Sequence, residues 1–164
     1  MIKKVIFLDV DGVLNHADCA ERSPMGFMGI DPEKIKILRQ IIEATGASIV
    51  LSSSWKMGWH RDDGWNDADV EYLNMALAKE GLQIIDKTEN AASLAWRGAE
   101  ILQWVKEHPE IEAWAVLDDD IFQDFKACGI MPHLVKTSFA KGGLQEKHVR
   151  DCIEILNKER KEQS

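Results

Sequence analysis

The chain has 164 residues, a length typical of one domain with a single core, and 45% of them are hydrophobic and 29% charged, as in an ordinary globular protein. Its formal net charge of −8 argues against loose, charge-driven binding to nucleic acid or to an anionic membrane, although a local basic groove is compatible with it. Three scattered cysteines, no secretory signal and no membrane-spanning stretch exclude a disulfide framework and predict a cytoplasmic protein that binds no membrane.

The first predicted elements are a short buried strand and a helix, with an irregular loop between them. The strand covers residues 5–8, which are all apolar, and it ends in a tight turn that begins at Asp9. Residues 15–30, with a proline and two glycines, predict a loop. The helix that follows begins after Asp31, its N-cap, and ends at Gly46.

Strands and helices alternate along the rest of the chain. A second strand at 47–51 is followed by a tryptophan-containing loop and a helix from 66 or 67 to about 79. The later elements are, in chain order, a strand at 82–85, a helix at 98–107, a strand at 113–117, a short helix that ends at 129, a strand at 134–136 and a helix at 144–159. This alternation predicts an α/β fold with a mostly parallel five-stranded sheet. We expect a single domain over residues 1–160 and a frayed tail at 161–164.

Acidic and hydroxyl side chains follow the predicted strands at the edge where parallel strands end, which is where ligands bind in an open parallel sheet. Asp9 and Asp11 follow the first strand, and Ser52 follows the second. Asp118 and Asp119 follow the fourth. Acids from two strands that meet at one edge repel each other, and Mg²⁺ is a natural compensation because it prefers oxygen ligands.

The segments that carry these residues resemble the motifs of the haloacid dehalogenase (HAD) superfamily. Residues 7–13, FLDVDGV, are similar to its first motif, a hydrophobic strand that ends in Asp-x-Asp-Gly. Residues 49–52 are similar to the second motif, a strand ending in Ser or Thr, and residues 114–119 to the fourth, a strand ending in paired acids. Arg97 matches the basic residue of the third motif, and Lys87 is the alternative. The resemblance implies a HAD-like Rossmannoid three-layer sandwich.

A closer resemblance involves residues 8–15, LDVDGVLN, residues 51–55, LSSSW, and the late residues 143–144. These segments look like a short branch of the superfamily that includes HAD domains associated with RNA-repair proteins. Loops, helices and a strand fill the segments between the motifs, which leaves no room for the separate cap domain of many relatives. We therefore expect an open site, shielded only by the loops at 15–30 and 55–65.

The resemblance implies a Mg²⁺-dependent phosphatase that hydrolyses a phosphate monoester through an aspartyl-phosphate intermediate. In this interpretation Asp9 is the nucleophile and Asp11 is the general acid and base. The implied metal ligands are Asp9, Asp11 through its backbone carbonyl, Asp118 and, as a partner of the metal's water, Asp119. The implied phosphate-binding residues are Ser52, Arg97 and Lys87.

Other interpretations of the same residues stay open. The acids at 118–120 also fit an N-cap cluster, with Asp120 as the cap of the short helix that follows. A phosphate-binding or regulatory domain without turnover would carry the same motifs. A response-regulator receiver domain would need Asp86 as its phosphate acceptor, and the acids at 118–120 would then be unexplained.

The tryptophans predict two different environments. Trp104 and Trp114 fit core positions by their periodicity. Trp55, Trp59 and Trp65 lie in one polar loop that also contains basic side chains. This loop is either a small core of its own or a platform that stacks a base, which would make the chain a nucleic-acid end-processing phosphatase. The substrate, a small molecule or a nucleic-acid end, and the oligomeric state stay open.

Overall fold

The centre of the fold is a five-stranded parallel sheet, seen in a computed structural model that describes residues 1–62, 65–90 and 96–158. Its strands are, in chain order, β1 (Lys4–Leu8), β2 (Ser48–Leu51), β3 (Ile84–Lys87), β4 (Ala113–Asp118) and β5 (Leu134–Lys136). Across the sheet the order is β3-β2-β1-β4-β5, so β1 is the central strand. The predicted tail at 161–164 lies outside the described residues.

The α-helices of the described chain cover both faces of this sheet. They are α1 (Pro32–Thr45), α2 (Ala68–Ala78), α3 (Arg97–Glu107) and α4 (Glu146–Leu156). Helices α1, α2 and α4 pack on one face together with Ile6 and Leu8, whereas α3 packs on the other face with Val5 and Phe7. The predicted α/β three-layer fold is therefore confirmed. No helix in the three described ranges is long and apolar enough to cross a membrane.

Helix α1 begins and ends where its sequence predicts. The Asp31 carboxylate accepts a hydrogen bond from the backbone N–H of Glu33 at 3.0 Å, which satisfies one of the unpaired donors of the first turn. At the other end, Gly46 has φ +74° and donates its N–H to the Ile42 carbonyl. Both predicted caps are confirmed.

Strand β3 lies two residues later than the sequence predicts. It pairs with β2 through Ile84, Asp86 and Lys87, so the last two residues lie within the strand instead of after it. A carboxylate is tolerated at this position because β3 is an edge strand and because Asp86 accepts hydrogen bonds from Trp104 Nε1 at 2.9 Å and from Arg61 at 2.6 Å. The predicted strand bounds of 82–85 are therefore wrong.

The short helix predicted to end at 129 is also wrong, because residues 123–129 form turns. Their side chains make tertiary contacts instead. Phe125 is buried, and the Asp124 carboxylate accepts hydrogen bonds from the backbone N–H groups of Gly98 and Ala99 at 3.0 and 2.8 Å. Asp124, which lies in another segment, thus provides acceptors for the unpaired backbone N–H groups in the first turn of α3. Asp120 caps no helix, since residues 121–130 form none, and its carboxylate accepts only from Ile121 N–H among the described contacts.

Two segments reach over the edge formed by the carboxyl ends of the strands, as the sequence predicts. Residues 9–31 form a loop that contains one isolated bridge, between Arg22 and Met28. The second segment begins with a 3₁₀ helix, Ser54–Gly58, which Ser53 caps by accepting from Trp55 N–H at 3.2 Å. Neither segment forms a separate cap domain in the part of the chain that the structure describes.

Candidate active site

Three carboxylates meet at the carboxyl ends of β1 and β4. The two strands pair in register up to Leu8 and Leu117, and Asp9 N–H extends the pairing by donating to the Leu117 carbonyl at 3.0 Å. One ligand oxygen each from Asp9, Asp118 and Asp119 lies within 4.8 Å of the others. The structure thus brings together three of the four predicted metal ligands through their side chains.

Burial makes this cluster electrostatically costly. Asp9 and Asp118 are almost fully buried, and Asp119 is half-buried. Burial and the neighbouring Asp118 carboxylate raise the pKa of Asp9 well above its usual value. Burial likewise raises the pKa of Asp118 and of Asp119. A divalent cation would remove this penalty, because it supplies the positive charge that the three carboxylates lack.

Arg97 supplies one positive charge to the cluster. Its Nη1 lies 2.9 Å from Asp118 Oδ2 and 3.3 Å from Asp9 Oδ1, and its guanidinium stacks 4.3 Å from the centre of the Phe122 ring. Burial lowers the pKa of Arg97, but the two carboxylates raise it by more, so the arginine stays charged. It is the first residue of α3, the turn that Asp124 holds in place.

Lys87, the alternative cation, lies elsewhere. Its Nζ donates to the backbone carbonyls of Lys56 and Trp59 at 3.0 and 2.8 Å, and so ties the 3₁₀ segment to β3. It forms no ion pair with the acids in the described structure. The geometry therefore places Arg97, and not Lys87, beside the three carboxylates.

The turn after Asp9 is held by a frame that the sequence does not reveal. Asn15 is buried, accepts from Gly12 N–H at 2.9 Å and donates to the Gly29 carbonyl at 3.0 Å. Thr137, also buried, donates to the Gly12 carbonyl at 2.6 Å. Gly12 has φ +84°, and a side chain there would collide with the Asp119 carboxylate. The glycine of the Asp-x-Asp-Gly motif is therefore needed both for the turn and for the close approach of Asp119 to that turn.

Asp11 faces outward, beside the three-carboxylate cluster and not within it. Its Oδ1 accepts from Asn15 Nδ2 at 2.9 Å, and its Oδ2 accepts from Trp55 Nε1 at 3.2 Å. These two donors fix the orientation of an otherwise exposed carboxylate. The sequence singled out Asp11, but the roles of Asn15 and Trp55 in holding it appear only in the structure.

Ser52 lies next to the cluster with an unused hydroxyl. Its N–H donates to the Leu8 carbonyl at 2.8 Å, which places it at the end of β2 beside the central strand. Its buried Oγ has no hydrogen-bond partner among the described residues. Buried polar atoms nearly always have a partner, so this hydroxyl is available to an oxygen of a bound ligand.

A buried ion pair that the sequence does not reveal involves Glu100, which lies on the same helix as Arg97. Lys56 Nζ lies 3.0 Å from Glu100 Oε1 and 3.0 Å from Thr88 Oγ1, and both charged side chains are largely buried. Burial lowers the pKa of Lys56, and Glu100 offsets part of this effect. The one available signal was the spacing of Arg97 and Glu100, which places both on the same side of α3.

The three tryptophans of the loop have different environments. Trp59 is only 6% exposed and belongs to the main core on the α1, α2 and α4 face. It has no face to offer a base, so of the two interpretations of this loop the structure supports a core position for Trp59. Trp65 is 83% exposed, and Trp55 is half-buried above Asp11. The core positions predicted for Trp104 and Trp114 are confirmed, since both pack against Phe7.

The family comparison agrees with this geometry. A family model described as the HAD domain in Swiss Army Knife RNA repair proteins matches residues 5–149, which include every acid of the cluster. The chain therefore belongs to this family of the HAD superfamily, and the resemblance of the motifs is confirmed. No curated protein matches the chain with significant similarity.

Proposed function

We propose that this chain is a Mg²⁺-dependent phosphatase that hydrolyses a phosphate monoester, with Asp9 as the nucleophile. The observation that carries the proposal is the buried cluster of three carboxylates beside a single arginine at the end of the central strands. Three hard oxygen donors within 4.8 Å of one another, with too little positive charge around them, fit a divalent cation. Asp9, Asp118, Asp119 and the backbone carbonyl of Asp11 would hold it.

When bound, Mg²⁺ would neutralise the charge of the phosphoryl oxygens. The same oxygens would accept hydrogen bonds from the unpartnered Ser52 hydroxyl and from the Arg97 guanidinium. Lys87 would have to break both of its hydrogen bonds to backbone carbonyls to reach them, so we assign the basic role to Arg97.

The reaction proceeds in two displacements at phosphorus. In the first, Asp9 attacks phosphorus, the bond to the leaving oxygen breaks, and Asp11 gives that oxygen a proton. In the second, Asp11 takes a proton from a water molecule that attacks the aspartyl-phosphate, and the Asp9 carboxylate and inorganic phosphate are released. The exposed position of Asp11, outside the buried cluster, suits a group that serves the leaving oxygen and the water in turn.

Removal of the metal tests this proposal. EDTA should abolish hydrolysis of a simple phosphate ester, Mg²⁺ should restore it, and Ca²⁺ should restore little because its larger and looser coordination misplaces the phosphoryl group. With a radiolabelled phosphate ester, a rapid acid quench should trap a phosphoenzyme whose label is released by base and by hydroxylamine, as expected of an aspartyl-phosphate. Full activity in EDTA would contradict the proposal. Absence of activity with every metal and ester would favour a phosphate-binding domain without turnover.

A nucleic-acid end is a second candidate substrate, and the family description supports it because it names RNA repair proteins. The net charge of −8 opposes it. Phosphorylated oligonucleotides assayed beside small phosphate esters would separate the two candidates. The cytoplasmic location stays a prediction.

A further inference from the structure

A cavity of about 570 Å³ opens directly beside Asp11. Its walls come from the loop after β1, from the 3₁₀ helix Ser54–Gly58, from the start of α2 and from the segment after β5. Asp11 and Trp55, which are joined by a hydrogen bond of 3.2 Å, both line it. The cavity therefore continues from the side of the site where a leaving group would depart.

The lining of this cavity is apolar and partly exposed to solvent. Met25, Phe27 and Met57 are 60%, 64% and 63% exposed, although large apolar side chains are normally buried. Neighbouring exposed side chains of this kind mark binding surfaces, and thioethers and aromatic rings pack well against other rings. Phe139 and Trp55 add two further aromatic side chains to the same walls.

The charged side chains that line the cavity are acidic. No lysine, arginine or histidine lines it within the described residues, whereas Asp11, Asp67 and Asp69 do. Asp67 caps α2 by accepting from Val70 N–H at 2.8 Å. These carboxylates would repel a ligand that carries a second phosphate or a carboxylate near the scissile bond.

The walls are held together before any ligand binds. The two oxygens of Asp69 accept from Ser23 Oγ and from Met25 N–H, both at 3.0 Å, which joins the loop after β1 to α2. The hydrogen bond from Trp55 to Asp11 joins the 3₁₀ segment to the catalytic turn. Because the cavity is preformed, its residues lose little conformational entropy when a ligand binds. A rigid and flat ligand fits such a cavity best, since it also loses little conformational entropy.

We infer that this cavity binds the leaving group of the phosphate monoester, and that this group is uncharged and carries an aromatic ring. The inference rests on the proposed phosphatase function and adds the class of substrate. A nucleoside base and a simple aryl group share this chemistry. A neighbouring phosphodiester would not be favoured, since no cation in the lining would receive it.

Two esters with leaving oxygens of similar basicity test the inference, 2-phenylethyl phosphate and ethyl phosphate. We expect kcat/KM to be roughly ten-fold to a hundred-fold higher for the aromatic ester, because its ring leaves water. Phe27→Ala should remove most of this preference, because it should lower kcat/KM for the aromatic ester far more than for ethyl phosphate. Met57→Ala should reduce the preference for the aromatic ester about three-fold. Met75→Ala is the control and should leave this preference unchanged, because Met75 is similarly exposed, at 65%, but lies outside the cavity.

Three further substrates complete the test. A 4-carboxylated phenylethyl phosphate should react about ten-fold more slowly than the uncharged ester, because of the acidic lining. Faster hydrolysis of uridine 5′-monophosphate than of phenylethyl phosphate would identify a nucleoside as the source of the ring. The reverse order of rates would identify a simple aryl group. A 5′-phosphorylated dinucleotide should gain nothing over the mononucleotide.

The failure of this inference differs from the failure of the proposed function. Equal rates with ethyl and phenylethyl phosphate, unchanged by Phe27→Ala, would overturn the aromatic substrate class and leave the phosphatase intact. A strong preference for the carboxylated ester or for the dinucleotide would also overturn it. Hydrolysis of none of the esters would overturn both claims together.

Discussion

The site at the carboxyl ends of the strands has a charged side and an apolar side. Each side contains one acid of the turn that follows β1. Asp9 ends the central strand, is buried, and has a raised pKa because of that burial and of Asp118. Asp11, two residues later, is exposed and is oriented by hydrogen bonds from Asn15 and Trp55. The first acid belongs to a rigid, charged site, and the second belongs to an open, apolar cavity.

The contrast follows from the elements that supply each side. The charged side uses the ends of paired strands and the first residue of a helix, so its distances are fixed by the core of the fold. The apolar side uses loops and a 3₁₀ helix, whose sequence can change without disturbing the sheet. We infer that the chemistry at phosphorus resides in the sheet and that the choice of leaving group resides in the loops.

The largest expected effect comes from the charged side. Asp9→Asn should lower kcat by about a thousand-fold or more, because an amide is a poor nucleophile. The melting temperature in the absence of metal should stay the same or rise, because the variant removes a charge that burial makes costly. Asp120→Asn, at an exposed position just after the end of the neighbouring strand β4, is the control and should change neither quantity. Retained turnover in the folded Asp9 variant would contradict the central assignment.

Substitution of Lys56 tests how much its buried ion pair with Glu100 contributes to the stability of the charged side. Lys56→Met removes an ammonium that lies 3.0 Å from the largely buried Glu100 carboxylate, and should lower the free energy of unfolding by about 2–4 kcal/mol. Lys36→Met removes the exposed partner of Glu33 and should cost less than about 0.5 kcal/mol. Urea denaturation measures both. Equal losses would show that the burial of the Lys56 pair has no energetic consequence.

Trp55→Phe tests the link between the two sides. The variant keeps an aromatic ring in the wall but removes the N–H that orients Asp11, so kcat should fall roughly five-fold to ten-fold with KM nearly unchanged. Trp104→Phe removes an indole N–H that donates to Asp86 instead, and should lower stability without changing kcat. A rise in KM alone after Trp55→Phe would assign this tryptophan to substrate packing and not to positioning Asp11.

The charged side could be predicted from the sequence because each of its acids lies at the end of a strand or directly after it. A parallel sheet brings strand ends to one edge, so local pattern and topology together were sufficient for Asp9, Ser52 and Asp118. Lys56 and Glu100 could not be paired in this way, since they are far apart in sequence and meet only through packing of α3. Asp124 was misassigned to a helix for the same reason, because its partners lie at the start of α3.

The apolar cavity was harder to predict than the acids. Met25, Phe27 and Met57 follow no helical or strand periodicity, and the sequence cannot distinguish exposed apolar loop residues from buried ones. The register of β3 was missed because the run at 82–85 is more hydrophobic than the segment that actually pairs. Both errors concern residues whose position depends on neighbouring elements and not on their own sequence.

The smallest expected effect concerns Trp65, and it separates the two substrate candidates. Trp65 is 83% exposed beside Arg61, so Trp65→Ala should change the free energy of unfolding by less than about 0.5 kcal/mol. Trp59→Ala, at a position that is 6% exposed in the core, should cost about 3–5 kcal/mol instead. The difference shows why Trp65, and not Trp59, is the residue with which to test base stacking.

For small phosphate esters we expect Trp65→Ala to leave kcat/KM within about two-fold of the unmodified protein, because the indole is absent from the lining of the cavity beside Asp11. A phosphorylated oligonucleotide provides the second measurement. Stacking contributes about 1–3 kcal/mol per base, so a selective loss of roughly ten-fold or more with the oligonucleotide alone would favour the nucleic-acid candidate. An equal loss with both kinds of substrate would contradict the separation of the cavity from this loop. With no loss for either substrate, the leaving group is recognised within the cavity, and Phe27 and Met57 become the residues that decide which esters react.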